Sequence, residues 1–168
     1  MLKKQDKYNI AIVGATGIVG ESLLSILDSR SFPINSIHAV ASQKSKGVKV
    51  KFGNHLLTVE ALDEFDFSNI DIAFFSAGGS ISKEYAPKAT SQDCIVIDNT
   101  SEFRYVDNIP LIVPEVNPND IDKYNEINFI AVRICSVIQM LVALMPLYDE
   151  FGIDNINFST YHAVSGSG

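Results

Sequence analysis

Cys135 is the candidate nucleophile of this sequence. It stands just ahead of Ser136 to Leu144, where Ile138, Leu141, Val142 and Met145 recur at helical spacing, and Pro146 is expected to end the pattern. A thiol at a helix N-terminus faces the positive end of the helix dipole, which favours a thiolate, and Arg133 two residues earlier adds positive charge. The competing reading is a cysteine packed as a small hydrophobe, because no partner base stands near it in the sequence. Cys94, inside an apolar run, reads as core.

Phosphate chemistry is written into Gly14, Gly17 and Gly20. They follow the apolar run Asn9 to Val13 and open a segment in which Leu23, Leu24 and Leu27 share one helical face. A strand that feeds a glycine turn and then a helix lets backbone N–H groups approach a pyrophosphate at the positive helix end. The spacing is GxxGxxG rather than GxGxxG, so a tight strand-to-helix turn without a ligand also satisfies it. Where an NAD site places Asp or Glu at the end of the second strand, this sequence has Ala41 and Ser42, then Lys44, Ser45, Lys46 and Gly47. Hydroxyls and cations suit a 2′-phosphate and favour NADP over NAD, the alternative being a solvated basic loop.

Two more loops follow apolar strands. Ser76-Ala77-Gly78-Gly79-Ser80 offers small residues against which a flat cofactor can lie. In Asp98 to Arg104, Asn99 is able to hydrogen-bond an amide or ribose, and Arg104 to clamp a carboxylate or phosphate through two N–H groups. Plain turn chemistry accounts for either loop alone. His38 and His55 read as ordinary strand residues, with no second ligand at metal spacing.

The elements needed to position these groups alternate. Strands are expected at Asn9 to Val13, Ser36 to Ala41, Ile70 to Phe75 and Cys94 to Ile97, with a hairpin of Val48 to Phe52 and His55 to Val59 about Gly53-Asn54. A helix is expected over Ser82 to Thr90. The fold class is therefore α/β, a Rossmann-like, doubly wound, mostly parallel sheet with helices on both faces. At 168 residues, 46% hydrophobic and 20% charged, the chain has a core to bury. A net charge of −7 argues against nucleic acid as a partner. Two cysteines make no disulfide framework, and no apolar run reaches membrane-spanning length, so a cytoplasmic protein with a small-molecule substrate and no membrane partner is expected.

Together the segments Gly14 to Gly20 (GATGIVG), Phe75 to Ser80 (FSAGGS), Val96 to Arg104 (VIDNTSEFR), Val113 to Pro118 (VPEVNP) and Ser159 to Gly166 (STYHAVSG) resemble the aspartate-semialdehyde dehydrogenases. The N-acetyl-glutamyl-phosphate reductases resemble the chain less, because the run Asp98-Asn99-Thr100-Ser101 is the dehydrogenase form. The resemblance implies NADP-dependent reduction of β-aspartyl phosphate to the semialdehyde, feeding lysine, threonine, methionine and diaminopimelate synthesis. It implies that the Cys135 thiolate forms a thioester and that Gly14, Thr16, Gly17, Ile18, Val19, Gly20, Ser42, Lys44, Ser76, Ala77, Gly78 and Asn99 contact the cofactor. It also implies that Arg104 meets the substrate phosphate and that residue 162 orients substrate.

Some positions depart from the family. Its Asn-Pro-Asn-Cys-Ser-Thr reads Val132-Arg133-Ile134-Cys135-Ser136-Val137 here, so a polar position near the reacting carbonyl is Ile134, and a family glutamine is His162. Losing a donor aimed at developing oxyanion charge costs about a hundredfold in rate. The family's acid/base histidine and a substrate arginine belong to a second, dimer-forming domain. Residues 1–150 read as the dinucleotide-binding domain and 151–168 as the start of that second domain, with Ile153 to Tyr161 an orphan strand. Two readings follow. One is a homodimeric dehydrogenase represented by its N-terminal part, with little or no turnover from these residues alone; the other is a non-catalytic NADP-binding module.

Overall fold

The computed structural model describes residues 5–161. Among these residues nine strands and three longer helices follow one another, first β1 (Tyr8–Val13), α1 (Ile18–Ser29), β2 (Ile34–Ala41), β3 (Lys49–Phe52), β4 (His55–Thr58), β5 (Glu60–Ala61) and β6 (Ile72–Phe75). The second half runs α2 (Gly79–Thr90), β7 (Ile95–Asp98), β8 (Leu111–Ile112), β9 (Phe129–Val132) and α3 (Cys135–Phe151). Seven strands form one sheet in the order β5-β2-β1-β6-β7-β9-β8, and every pairing in it is parallel. The hairpin β3–β4 stands apart as a two-stranded antiparallel ribbon.

Alternation along the strands builds a core on each face. Ile10 and Ile12 of β1 face Leu24 and Leu27 of α1, with Val50 of the hairpin in the same cluster. Ala11 and Val13 face the other way, with Phe75 of β6, Ala86 and Ala89 of α2, and Val96 of β7. The doubly wound, parallel α/β expectation thus holds. The strand order reverses between β1 and β6, which opens a crevice at their carboxyl ends.

Several expectations need correction. β5, β8 and β9 were not anticipated: β5 and β8 have two residues each, too few to show a period, and β9 follows the long 3-10 segment Pro118–Glu126. Pro146 does not end α3, which continues to Phe151. Proline's fixed φ suits a helix, and the carbonyl it leaves unpaired, four residues back at Val142, belongs to a residue 41% exposed, so water can serve it. Ile153 to Tyr161 forms no strand, since no neighbouring strand among the described residues offers its backbone a partner. Cys94 lies just before β7 rather than in it, yet is fully buried as expected.

At Gly20 two effects oppose each other. Alanine in a helix is worth about 1 kcal/mol over glycine. A Cβ on Gly20, however, would lie 2.2 Å from the Gly14 carbonyl oxygen and 2.7 Å from Ala15 Cα, both backbone atoms. Overlap outweighs propensity, so Gly20→Ala is expected to lower stability by about 2 to 3 kcal/mol in urea denaturation; an unchanged or raised midpoint would contradict the packing.

Candidate functional site

Register sets the site. Val13 pairs with Val40 on one side and Phe75 on the other, Phe75 pairs with Asp98, and Asp98 with Ala131. The residues that follow, Gly14, Ala41, Ser76, Asn99 and Val132, therefore end their strands in one row along the carboxyl edge of the sheet.

The chain leaves β1 through Gly14, at φ 94°, and both the Gly14 and Ala15 amides donate to the Val40 carbonyl at 2.8 and 3.2 Å. Gly17 N–H closes the turn on the Gly14 carbonyl at 3.0 Å, and Gly17 caps α1 with no side-chain acceptor. The first amides of α1, at Ile18, Val19 and Gly20, consequently point outward without a helical partner. Thr16, Gly17, Ile18 and Val19 are exposed around them. Across the crevice Ser76 donates from both its amide and its hydroxyl to the Val13 carbonyl, at 2.9 and 3.1 Å. A Cβ on Gly14 would lie 2.9 Å from the Ser76 carbonyl carbon, so only glycine lets the two loops approach. Ala77 is half-buried, and Gly78, at φ 97°, caps α2 with open space where a Cβ would stand.

After β2, Ser42 opens a single 3-10 turn, Gln43–Ser45. Of the two lysines there, Lys46 pairs with Glu64, whose other oxygen accepts from Gln43 at 2.9 Å. Those two bonds hold the Glu64 carboxyl below the usual carboxylate range. Lys44 has no charged partner among the described residues, so Ser42 and Lys44 are the groups left open at this end. His38 serves the sheet: its Nδ1 lies 2.8 Å from Glu60 Oε1 and its ring meets the Phe65 edge.

At the other end, Asn99 follows β7 and donates its amide to the Phe75 carbonyl at 2.9 Å. Arg104 folds back on its own loop, Nη2 donating to the Asn99 carbonyl at 3.0 Å and Nε to the Val132 carbonyl at 2.9 Å. Its remaining N–H groups stay available to an anion. Val132 ends β9, and three residues later Cys135 begins α3, exposed. β9 lies three strand spacings from β1, about 14 Å, a reach matching a dinucleotide laid across the edge. Between α3 and residues 153–161 a cleft of about 920 Å³ opens, lined by Cys135, Gln139, Met140, Asn157 and Phe158 among others. His162 lies outside the described residues. Sequence reasoning missed Ser82 and Thr100, which hold Asp98 below this edge. The Asp-x-Thr spacing of an Asx turn was the available signal for Thr100.

A glycine turn without side-chain caps, at the switch point of a parallel sheet, defines a nucleotide-binding domain of the doubly wound class. Residues 9–124 match the family model described as "Semialdehyde dehydrogenase, NAD binding domain", and the chain belongs to that family. It is 54% identical over 160 residues to the aspartate-semialdehyde dehydrogenase of Legionella pneumophila, covering 95% of this chain and 46% of that protein. It is 52% identical over 162 residues to the enzyme of Rickettsia typhi, covering 96% and 48%. The crystal structure of aspartate semialdehyde dehydrogenase II from Vibrio cholerae, complexed with ASA, superposes with a TM-score of 0.93 at 48% identity, over 97% of this chain and 48% of that one. The chain thus spans about half the length of the relatives it matches.

The two cysteines differ sharply in environment. Burial first, and the Asp71 charge second, push the Cys94 thiol up to about 12, whereas Cys135 is exposed. Titration with a thiol-specific disulfide reagent at neutral pH is expected to count one reactive thiol in the folded protein and two in denaturant, and Cys135→Ser should remove the folded-state signal. Two fast thiols in the folded protein would contradict this assignment.

Proposed function

We propose that this chain is the NADP-binding, thiol-bearing part of an aspartate-semialdehyde dehydrogenase, acting on β-aspartyl phosphate by way of a thioester on Cys135. The observation that carries the reading is the shared edge: an uncapped glycine turn follows β1 and an exposed cysteine at a helix start follows β9, two strands held in one register through β6 and β7. Gly14 and Gly20 support the fit, because a side chain at either would push the turn off Ser76 or off the first turn of α1, and Gly78 leaves open space where a Cβ would stand. The outward amides of Ile18, Val19 and Gly20 would take the pyrophosphate, Ser42 and Lys44 the 2′-phosphate, and Ser76, Ala77, Gly78 and Asn99 the nicotinamide half.

Arg104 would hold the substrate phosphate while Cys135 Sγ attacks the acyl carbon. The carbon–oxygen bond to phosphate breaks, inorganic phosphate departs, and the acyl group remains on sulfur. The nicotinamide, when bound, supplies the hydride that takes the acyl group to the aldehyde. Cys135 Sγ then leaves as thiolate, at the start of α3.

One observation favours binding without turnover as a second reading. Ile134 is the N-cap of α3 with no side-chain hydrogen bond and is 40% exposed, so a hydrocarbon borders the reacting sulfur where the family motif has asparagine. Mass spectrometry distinguishes the two. On the dehydrogenase reading, β-aspartyl phosphate leaves one acyl group on the protein, and Cys135→Ser abolishes it; no adduct on the unsubstituted protein favours the binding module.

Cofactor choice is tested by melting. At a hundredfold excess over Kd, a ligand adds about 2.7 kcal/mol, or about 5 to 10 °C for a domain of this size. NADP is expected to reach that shift at lower concentration than NAD, and Lys44→Glu to remove the preference. Equal curves for the two dinucleotides would overturn the roles of Ser42 and Lys44.

A further inference from the structure

Asp98 ends β7 and exposes none of its surface. No cation pairs with it among the described residues, so neutral donors carry its charge. Oδ1 accepts from the Ser82 hydroxyl at 2.9 Å and the Thr100 amide at 3.0 Å, and Oδ2 accepts from the Thr100 hydroxyl at 2.9 Å. Ser82 is the fourth residue of α2, which brings the carboxylate to the positive end of that helix. Stability alone gives no reason for a charge there, since a buried ionic group is commonly no better than a well-packed hydrocarbon.

What the carboxylate holds is the loop between β7 and Arg104. The Thr100 hydroxyl, donating to Asp98, also accepts the Glu102 amide at 3.4 Å. The loop therefore leaves the strand as two successive side-chain-closed turns. Inside them lies Asn99, whose carbonyl receives Arg104 Nη2, while Arg104 Nε reaches the Val132 carbonyl ahead of Cys135. Hydrogen bonds and one peptide link, from Thr100 back to Asn99, thus connect α2 through Asp98 and its loop to Arg104 and β9.

We infer that Asp98 is a positioning residue for this site: clamped by Ser82 and Thr100, it fixes Asn99 against the cofactor and, through the Asn99 carbonyl, sets the Arg104 guanidinium beside the entry to Cys135. The inference rests on the proposed cofactor reading and deepens it. Bonds to an ionised acceptor are shorter and stronger than neutral ones, so a carboxylate holds the loop more firmly than an amide or hydroxyl in its place.

The test is NADPH affinity, read from nucleotide fluorescence in the cold, where circular dichroism verifies that each variant is folded. Thr100→Val keeps the side-chain shape but strands one buried carboxylate oxygen, and is expected to weaken NADPH binding about tenfold; Thr100→Ser, which keeps the hydroxyl, should return within about threefold of the original. A merely structural role would lower the melting temperature and leave the cold affinity unchanged, which would overturn the proposal. Should Thr100→Val not fold, Ser82→Ala decides: weakening of about threefold or more supports the proposal, and unchanged affinity overturns it. If the unsubstituted protein itself does not bind NADPH, the cofactor reading falls and takes this proposal with it. Binding that is strong and indifferent to both substitutions overturns the positioning role alone.

Discussion

The contact on which the site depends is the approach of the Gly14 carbonyl to Gly20, with Gly14 itself pressed against Ser76. The first contact is backbone on backbone, and the second involves the Ser76 backbone and its hydroxyl. Gly20 brings the first turn of α1 directly over the turn that leaves β1, and Gly14 lets that turn meet the loop after β6. Because the Gly14 carbonyl also receives the Gly17 amide and the Gly14 amide is held by Val40, the turn has little freedom to relax. Its rigidity keeps the outward amides of α1 aimed in one direction, which is what preorganised recognition of an anion requires.

Much of this was legible because backbone demands leave residue-specific traces. Gly14, Gly17 and Gly20 could be read as a turn that excludes side chains, and the apolar runs of β1, β2, β6 and β7 as strands covered on both faces. The hairpin about Gly53-Asn54 announced itself by its turn. β8 and β9 left no such trace: Leu111–Ile112 is too short for a period, and Phe129–Val132 follows a long 3-10 segment, Pro118–Glu126, that has no counterpart in simple helix or strand patterns. Pro146 misled because its position on an exposed helix face lets α3 continue. Ile153 to Tyr161 misled because apolar alternation is only half of a strand; a backbone partner is the other half.

The site residues divide in the same way. Glycines and the cysteine were legible as types, whereas the work of Lys46, Asp98 and Arg104 depends on partners far away in sequence. Lys46 looked like a cation for a phosphate, yet Glu64 engages it, leaving Lys44 more open. Arg104 looked like a free clamp, and part of its guanidinium also serves as a strut between the ends of β7 and β9. Only pairing across the sheet could reveal either.

The placement of β9 between β7 and β8 has a consequence for the order of assembly. A chain emerging from the ribosome delivers Leu111–Ile112 before Phe129–Val132, so β8 has nothing to bind until its inner neighbour has arrived. Strands through β7 are able to zip up early, leaving the Val96 side as a provisional border, and the last two strands then dock as a unit or in reversed order. The stretch that carries the exposed Cys135 is thereby tied to a late step in building this sheet: the thiol reaches its station only once β9 has docked on β7.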